Sequence, residues 1–505
     1  MRVLLDTNIL IHREANRVIH QDIGMLFYWL DRLGYQQCIH PLSLTEIQKY
    51  HDPQVVQTIL TKIKNYHTLK TLADDSPEIR AIRLHDHNDN DTIDTSILNE
   101  LHQDRVDLLI TEDRALHRKA RTLGIADRVY TIDAFLEKVI AEHPELTDYN
   151  VLAVKKSFFG EIDINDPFFD SFKHDYHGFE KWFNRKADEI AYICRAEEGR
   201  LLAFLYVKTE DRSENYTDIT PSFASKKRLK VGTFKVIANG YKLGERFVKI
   251  IIDNAMKARV DEIYVTIFSN TPEQERLIYL LQDWGFVHHG IKKTTSGTEQ
   301  VYVRDFTPRA DPQRPALTYP FLSRSRRKFI VPIYPEYHTE LFPDSILRTE
   351  SPDDFVENRP NRNAISKVYI SRSIRRDLAA GDIIIFYRTK VATGHAYYTS
   401  VVTTLGVVQS IATTIPNLAT FLRLCRKRSV FSDDELAKHW HYNPRNHPFI
   451  VNFLYVHTLH NKLNLKELKE LHIIDEAPRG FELLTDAAFE TLLEHSHAHK
   501  RIIVD

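Results

Sequence analysis

The sequence predicts a multidomain chain, α/β at its start and α+β beyond, and three observations carry that prediction. From Met1 to about residue 145, short apolar strands alternate with helical patterns, the mark of a parallel sheet covered by helices. From about Tyr149 to Thr307 the pattern changes to hairpins and longer amphipathic helices, as in a mixed sheet. The stretch Pro308 to Pro320, with Pro312 and Pro315 inside it, reads as a linker, and β-rich segments follow it. Domains are therefore expected at 1–145, 149–307 and 320–505, as 505 residues allow at ~150 per domain.

In the first segment, strands are predicted at Val3–Leu5, Leu108–Ile110 and Val129–Thr131. Helices are predicted near Gly24–Leu33, Leu44–Tyr50, Val55–Asn65 and Thr92–Leu101, with an exit at Glu142–Leu146. In the second, Ile190–Arg195 and Leu201–Lys208 make a hairpin around Glu198-Gly199. A strand at Leu229–Ile237, a helix from Gly244 to Ala258, a strand at Ile263–Phe268, a helix from Pro272 to Trp284 and a strand at Gln300–Phe306 follow. The third segment offers Lys328–Ile333, Lys367–Ser371, Ile383–Arg388, Tyr397–Gln409, Val451–His457 and Gly480–Leu484, which suggest a small β-barrel. Helices near Leu418–Lys427 and Asp434–Trp440 would accompany it.

Lys plus Arg number 68 and Asp plus Glu 69, so no global charge points to nucleic acid or membrane, and any polyanion site must be a local patch. No apolar run approaches the ~20 residues of a membrane span. Cys38, Cys194 and Cys425 lie far apart and match no zinc spacing, which argues for a reducing, cytoplasmic setting. The opening residues enter a strand directly, leaving no room for a signal peptide.

The chemistry concentrates in four acids: Asp6, Glu46, Asp94 and Asp113. Asp6 and Asp113 each follow an apolar strand, and in parallel sheets ligands sit beyond the carboxyl ends of strands. Glu46 and Asp94 lie near helix starts and can point into the same crevice. Four carboxylates converge only with raised pKa values or a cation, and hard divalent ions, Mg²⁺ or Mn²⁺, suit an all-oxygen set. The matching chemistry is metal-activated water attacking a phosphodiester. Structural roles stay open beside it: Ser43-Leu44-Thr45-Glu46 is a capping-box pattern, Asp113 is placed to cap a helix, and Asp91 or Asp94 can satisfy helix amides.

Leu5-Asp6-Thr7-Asn8, Leu44-Thr45-Glu46, Asp91-Thr92-Ile93-Asp94 and Leu109-Ile110-Thr111-Glu112-Asp113 together resemble the PIN-domain nucleases over about the first 140 residues. The resemblance implies a ribonuclease, often the toxin of a toxin–antitoxin pair. Asp6, Glu46, Asp94 and Asp113 would hold the metal and carry the catalysis, supported by Asn8 and Thr111, with Asp91 replacing or assisting Asp94. It also implies an RNA substrate, tRNA among the options, and an antitoxin or regulatory protein as partner. A homo-oligomer is compatible with the sequence.

Centrally, Asn239-Gly240-Tyr241-Lys242-Leu243-Gly244-Glu245-Arg246 opens an amphipathic helix, and a loop feeding a helix N-terminus presents free amides to phosphate. With Trp284-Gly285-Phe286, this is similar to the GNAT acetyltransferases, in which a Gly-bearing loop grips the pyrophosphate of acetyl-CoA. By that resemblance Lys242, Leu243, Gly244 and Glu245 would bind the cofactor. Asn239 stands where Arg or Gln is usual, Lys242 replaces the first glycine, and Leu281 occupies the position of the family's general-acid Tyr, with Tyr279 two residues earlier. An acetyltransferase acting on RNA, aminoacyl-tRNA or protein is thus the alternative function.

Ala380-Gly381-Asp382-Ile383 leading into Tyr387-Arg388, and Ser400–Val408, resemble the ASCH and PUA group of RNA-binding barrels over about residues 320–490. Basic clusters at Arg324 to Lys328, at Arg372, Arg375 and Arg376, and at Arg423 to Arg428 accompany Tyr387, Tyr397 and Tyr398. Such aromatics can stack on unpaired bases; a solvated charged face is the plainer reading. His85-Asp86-His87 and the tail His495-Ser496-His497-Ala498-His499 are read as mostly solvated.

Overall fold

The computed structural model describes residues 1–505 except 16–20, 51–52, 64–65, 144–153, 197, 238–241, 343–363, 391–395, 426–427 and 499. Several expectations fall outside it: the exit at Pro144 to Leu146, the loop residues Asn239, Gly240 and Tyr241, and the helix end at Arg426 and Lys427. The chain divides into two compact units, Met1–Thr147 and Asp148–Asp505.

The first unit runs β1 (Arg2–Leu5), α1 (Thr7–Ala15), α2 (Gln21–Arg32), β2 (Gln36–Ile39), α3 (Pro41–Gln48), α4 (Pro53–Lys62), β3 (His67–Thr68), α5 (Pro77–Arg83), α6 (Asp89–His102), β4 (Leu108–Ile110), α7 (Arg114–Thr122), β5 (Val129–Tyr130) and α8 (Ile132–Glu142). The five strands lie in the order β3-β2-β1-β4-β5, all parallel. In central β1, Val3, Leu4 and Leu5 are fully enclosed, because both faces of a parallel sheet are covered. The chain winds from β1 to β2 and β3 on one side, then returns to β4 and β5 on the other. That reversal opens a crevice beyond the ends of β1 and β4. The polar Gln36-Gln37 at the start of β2 and the two-residue β3 carry too little apolar periodicity to be seen in the sequence.

The second unit holds two large sheets. In the first sheet are β6 (Lys155–Phe158), β7 (Ile190–Arg195), β8 (Leu201–Glu210), β9 (Ile219–Thr220), β10 (Arg228–Val236), β11 (Glu262–Ile267), β12 (Val287–Thr294) and β13 (Gly297–Asp305). Their order is β6-β7-β8-β10-β11-β13-β12-β9, with only β10 and β11 parallel. Helices α9 (Asp170–Asp175), α10 (Phe179–Asn184), α11 (Leu243–Ala258) and α12 (Pro272–Asp283) accompany it. A cluster of aromatic side chains around Phe159, Phe169, Phe183 and Phe204 packs on one side of the sheet.

After the short α13 (Pro315–Thr318) come β14 (Leu322–Ser323), β15 (Lys328–Ile333), α14 (Pro335–Leu341), β16 (Ser366–Ser371), β17 (Ile383–Arg388), β18 (Val401–Ala412), β19 (Phe449–Thr458), β20 (Glu482–Leu484) and β21 (Ile503–Val504). The six-stranded sheet β16-β19-β18-β17-β15-β20 ends in free edges, so the expected barrel is a curled half-barrel. The strand expected from Tyr397 begins only at Val401; Ala396–Thr399 forms a helical turn.

The expected linker is no spacer. Buried Arg304 donates to the carbonyl of Tyr319, whose hydroxyl donates to the carbonyl of Tyr455 at 2.8 Å. Gly285, at φ 85°, lies against the Leu317 carbonyl, and Gly381, at φ 86°, against Pro312, places where a Cβ would collide. Prolines here fix a packed seam between the two sheets. Among the described residues no helix is long and apolar enough to cross a membrane.

Candidate functional site

The structure brings the four acids of the first unit together at the crevice. Asp6 leaves β1 almost fully buried and opens α1, its carbonyl accepting the Ile9 amide at 3.1 Å. Its carboxylate accepts the Thr111 hydroxyl at 2.7 Å from the end of β4, and Thr111 in turn accepts the Asp113 amide at 3.0 Å. Burial, with Asp113 and Glu46 adding like charge, pushes Asp6 up to about 6. Asp94, on the second turn of α6, is pushed up to about 7 by burial and by Asp6 and Asp113; Lys119 opposes that rise. Lys119 is itself held by Asp86, the Asp91 carbonyl and Thr95.

Glu46 is no capping-box residue: His40 caps α3 by accepting the Leu42 amide, and Glu46 takes the Thr7 hydroxyl at 2.5 Å. Asp113 does cap α7, accepting from Ala115 and Leu116, so the capping and site roles coexist. Asp91 accepts the His87 amide at 3.0 Å, whereas Asp94 is the one of the pair raised by Asp6. Asn8 is exposed and its side chain makes no hydrogen bond among the described residues; Thr7, one residue earlier, bonds Glu46 instead. Glu112, pushed up to about 7 by burial, binds the Ile132 amide at 2.7 Å and serves the start of α8.

All four acids are hard oxygen donors, and Thr7 and Thr111 orient two of them, a set suited to Mg²⁺ or Mn²⁺. No three His, Cys, Asp or Glu among the described residues stand already closed in ligating arrangement.

In the second unit, the predicted cofactor residues sit at the start of α11. Lys242 takes φ 57° ahead of the helix, Leu243 is buried, and a Cβ on Gly244 would meet Leu280 at 2.8 Å. Glu245 turns toward the half-barrel: its Oε2 accepts the amides of Ile365 at 2.9 Å and Ser366 at 3.1 Å, while Lys242 approaches its Oε1 at 3.3 Å. Burial works against its charge, yet Lys242, Arg428 and the Ser366 amide hold its carboxyl below the usual range. Leu281 is fully buried, so the position matching the family's general acid is core. Trp284 stacks edge-on against Tyr319 in the seam.

A feature absent from the sequence reading lies where β10 and β11 part. Their parallel pairing runs from Arg228 and Glu262 to Val231 and Val265, and then β10 bulges between Val231 and Thr233. Beyond that point Thr233–Val236 pair only with β8, and Thr266–Ile267 only with β13, leaving a fork inside the sheet. At the fork Thr266 donates to Oε1 of Glu299 at 3.2 Å, and Tyr176 donates to the same oxygen at 2.8 Å. Glu299 is 3% exposed, has no salt bridge among the described residues, and its Oε2 meets no protein donor there. A lone Glu in a strand and a Tyr 123 residues earlier carry no local signal of convergence.

No protein-family model matches the chain, and no curated protein matches it. Solved structures with ASCH and GNAT folds are similar to parts of it at low TM-score. An ASCH protein from Zymomonas mobilis is 13% identical, covering 34% of this chain and 96% of its own, with a TM-score of 0.24. A chain of the NatC complex, solved with Gag peptide and CoA, is 16% identical over 31% of this chain and all of its own, with a TM-score of 0.22. A GNAT-family acetyltransferase from Streptococcus agalactiae is 10% identical, covering 27% of this chain and 78% of its own, with a TM-score of 0.20. The chain is a mixed α/β protein of several sheets in two units.

Proposed function

We propose that the first unit cleaves RNA with the help of Mg²⁺ or Mn²⁺. The carrying observation is the meeting of Asp6, Glu46, Asp94 and Asp113 at the switch point of a parallel sheet, with Asp6 and Asp94 pushed up toward neutrality. Asp6 and Asp94 would hold the ion, Glu46 and Asp113 flank it, and Thr111 and Thr7 fix the first and third of these acids. A bound divalent ion supplies activated water and charge stabilisation at the phosphate. Purified protein is incubated with total cellular RNA and Mn²⁺, with and without EDTA, beside Asp6→Asn. Cleavage needing both the metal and Asp6 supports the reading; equal cleavage by Asp6→Asn, or intact RNA in every lane, ends it.

A second reading, acyl transfer from acetyl-CoA to RNA, aminoacyl-tRNA or protein, is favoured by the fork between β10 and β11. Unpaired strand edges there suit an extended amide-bearing arm such as that of coenzyme A, and Glu299 offers a carboxylate for the acceptor's proton. The acetyltransferase and CoA descriptions among the solved structures above bear on this reading and not on the first. Calorimetry with acetyl-CoA tests it, absence of binding being the adverse result.

A further inference from the structure

The three basic clusters of the C-terminal part differ in what balances them. Arg324 pairs with Glu490, Arg326 and Arg327 with Asp382, Arg327 also with Asp377, and Lys328 with Asp486. Arg428 reaches the Ser366 hydroxyl and adds its charge to the field around Glu245 in the seam. The cluster after β16 is different. Arg375 and Arg445 are exposed and have no carboxylate partner among the described residues. Arg376 donates through Nη2 to Asn446 Oδ1 and to the His447 carbonyl, the latter at 2.9 Å. Arg372 lies 4.8 Å from the ring of Tyr442, and its Nε and Nη2 are enclosed with no hydrogen-bond acceptor among the described residues. Burial leaves that guanidinium below its ordinary pKa, with Tyr442 opposing the fall, so a nearby anion would relieve it.

Tyr442 itself is 80% exposed, an unusual setting for a ring held by an arginine. The two loops that carry these groups are tied by Asn446 Nδ2 donating to the Arg372 carbonyl at 3.1 Å. The result is a solvent-facing ring against Arg372, with Arg375, Arg376 and Arg445 on the same two loops and no acid paired with any of the four among the described residues. Acidic groups do stand on the nearby helix 433–441: Glu435 faces His439, and it caps its own helix through Ser432.

We propose that this surface binds single-stranded nucleic acid, one unpaired base stacking on Tyr442 and the neighbouring phosphates meeting Arg372, Arg375 and Arg445. An exposed ring favours a splayed base over a duplex, whose bases are already stacked. An acidic protein segment would meet the charges but leave the ring without a partner of its kind.

The test uses the full chain as Asp6→Asn in EDTA, so that binding is read without cleavage. Its failure then leaves the nuclease assignment standing, and failure of the nuclease leaves this surface standing. Fluorescence anisotropy follows labelled 12-nucleotide single-stranded RNA, the same strand in duplex, and polyglutamate. Three contacts at ~0.7 each predict a slope of log K against log salt of about −2. Tyr442→Ala is expected to weaken single-strand binding roughly tenfold or more, with rescue by Tyr442→Trp. Arg375→Ala with Arg445→Ala should flatten the salt slope, and Arg324→Ala, whose charge is already paired, should change nothing. Absence of single-strand binding, equal binding of duplex or polyglutamate, or indifference to Tyr442→Ala overturns the proposal.

Discussion

Thr111 donates its hydroxyl to Asp6 at 2.7 Å from the end of the neighbouring parallel strand, and that same oxygen receives the amide of Asp113. One threonine thus sets the position of two acids that would otherwise repel. Thr111→Val keeps the shape and removes both bonds. Mn²⁺ affinity, followed by electron paramagnetic resonance, should fall about tenfold, the usual scale for losing an outer partner of a metal ligand. Unchanged affinity would show that Thr111 serves only the fold.

Asp6 and Asp94 keep their protons in the folded chain up to about 6 and about 7, well above their values in an unfolded chain. The folded state therefore binds more protons than the unfolded state through that window, and stability falls as pH rises from about 4 to 7. Thermal melts of metal-free protein should show this decline. Added Mg²⁺ or Mn²⁺ should raise the melting temperature more at pH 8 than at pH 5. Asp6→Asn should flatten both trends, and a melt that is steady across pH would contradict the assigned crowding.

Glu245 is the acceptor for two amides of the half-barrel. Glu245→Ala should leave the Ile365 and Ser366 N–H groups unsatisfied in a buried seam, costing about 3 kcal/mol. Denaturant unfolding followed by far-ultraviolet circular dichroism would report it; a midpoint equal to wild type would remove the seam from the list of stabilising contacts.

If the second unit transfers acyl groups, Glu299→Gln should leave acetyl-CoA binding intact while slowing thiol release, with hydroxylamine as nucleophile, on the order of a hundredfold. Gly244→Leu, by contrast, should drive against Leu280 and abolish binding itself. Equal rates for wild type and Glu299→Gln would make the carboxylate a structural acceptor for Tyr176 and Thr266.

Much of this was legible in the chain. Leu4 and Leu5 running into Asp6, and Leu109 and Ile110 into Thr111, placed two acids at strand ends, because an apolar run followed by a carboxylate has few other homes in a parallel sheet. Asp94 was chosen from the sequence, but whether Asp91 replaces or assists it was not legible, since that depends on which helix turn faces the crevice and on His87 claiming Asp91. Strand β12 escaped notice because Val287-His288-His289-Gly290 shows no alternation, and its pairing with β13 comes from the hairpin. The proline segment misled because Tyr319 and Arg304, distant in kind, turn it from spacer into seam. Glu299 needed Tyr176 and Thr266 to acquire meaning, and convergence at that range has no signature in a linear sequence.

The seam has a consequence for how such a chain can be inherited. Glu245, Arg304 and Tyr319 each find their partner across the boundary between the mixed sheet and the half-barrel. A recombination event that exchanged the half-barrel alone would orphan the buried charge of Glu245, and one that exchanged the mixed sheet alone would orphan the Ile365 and Ser366 amides. Genes carrying these two sheets should therefore travel together, with breakpoints falling outside the span from Lys155 to Val504 that both sheets share.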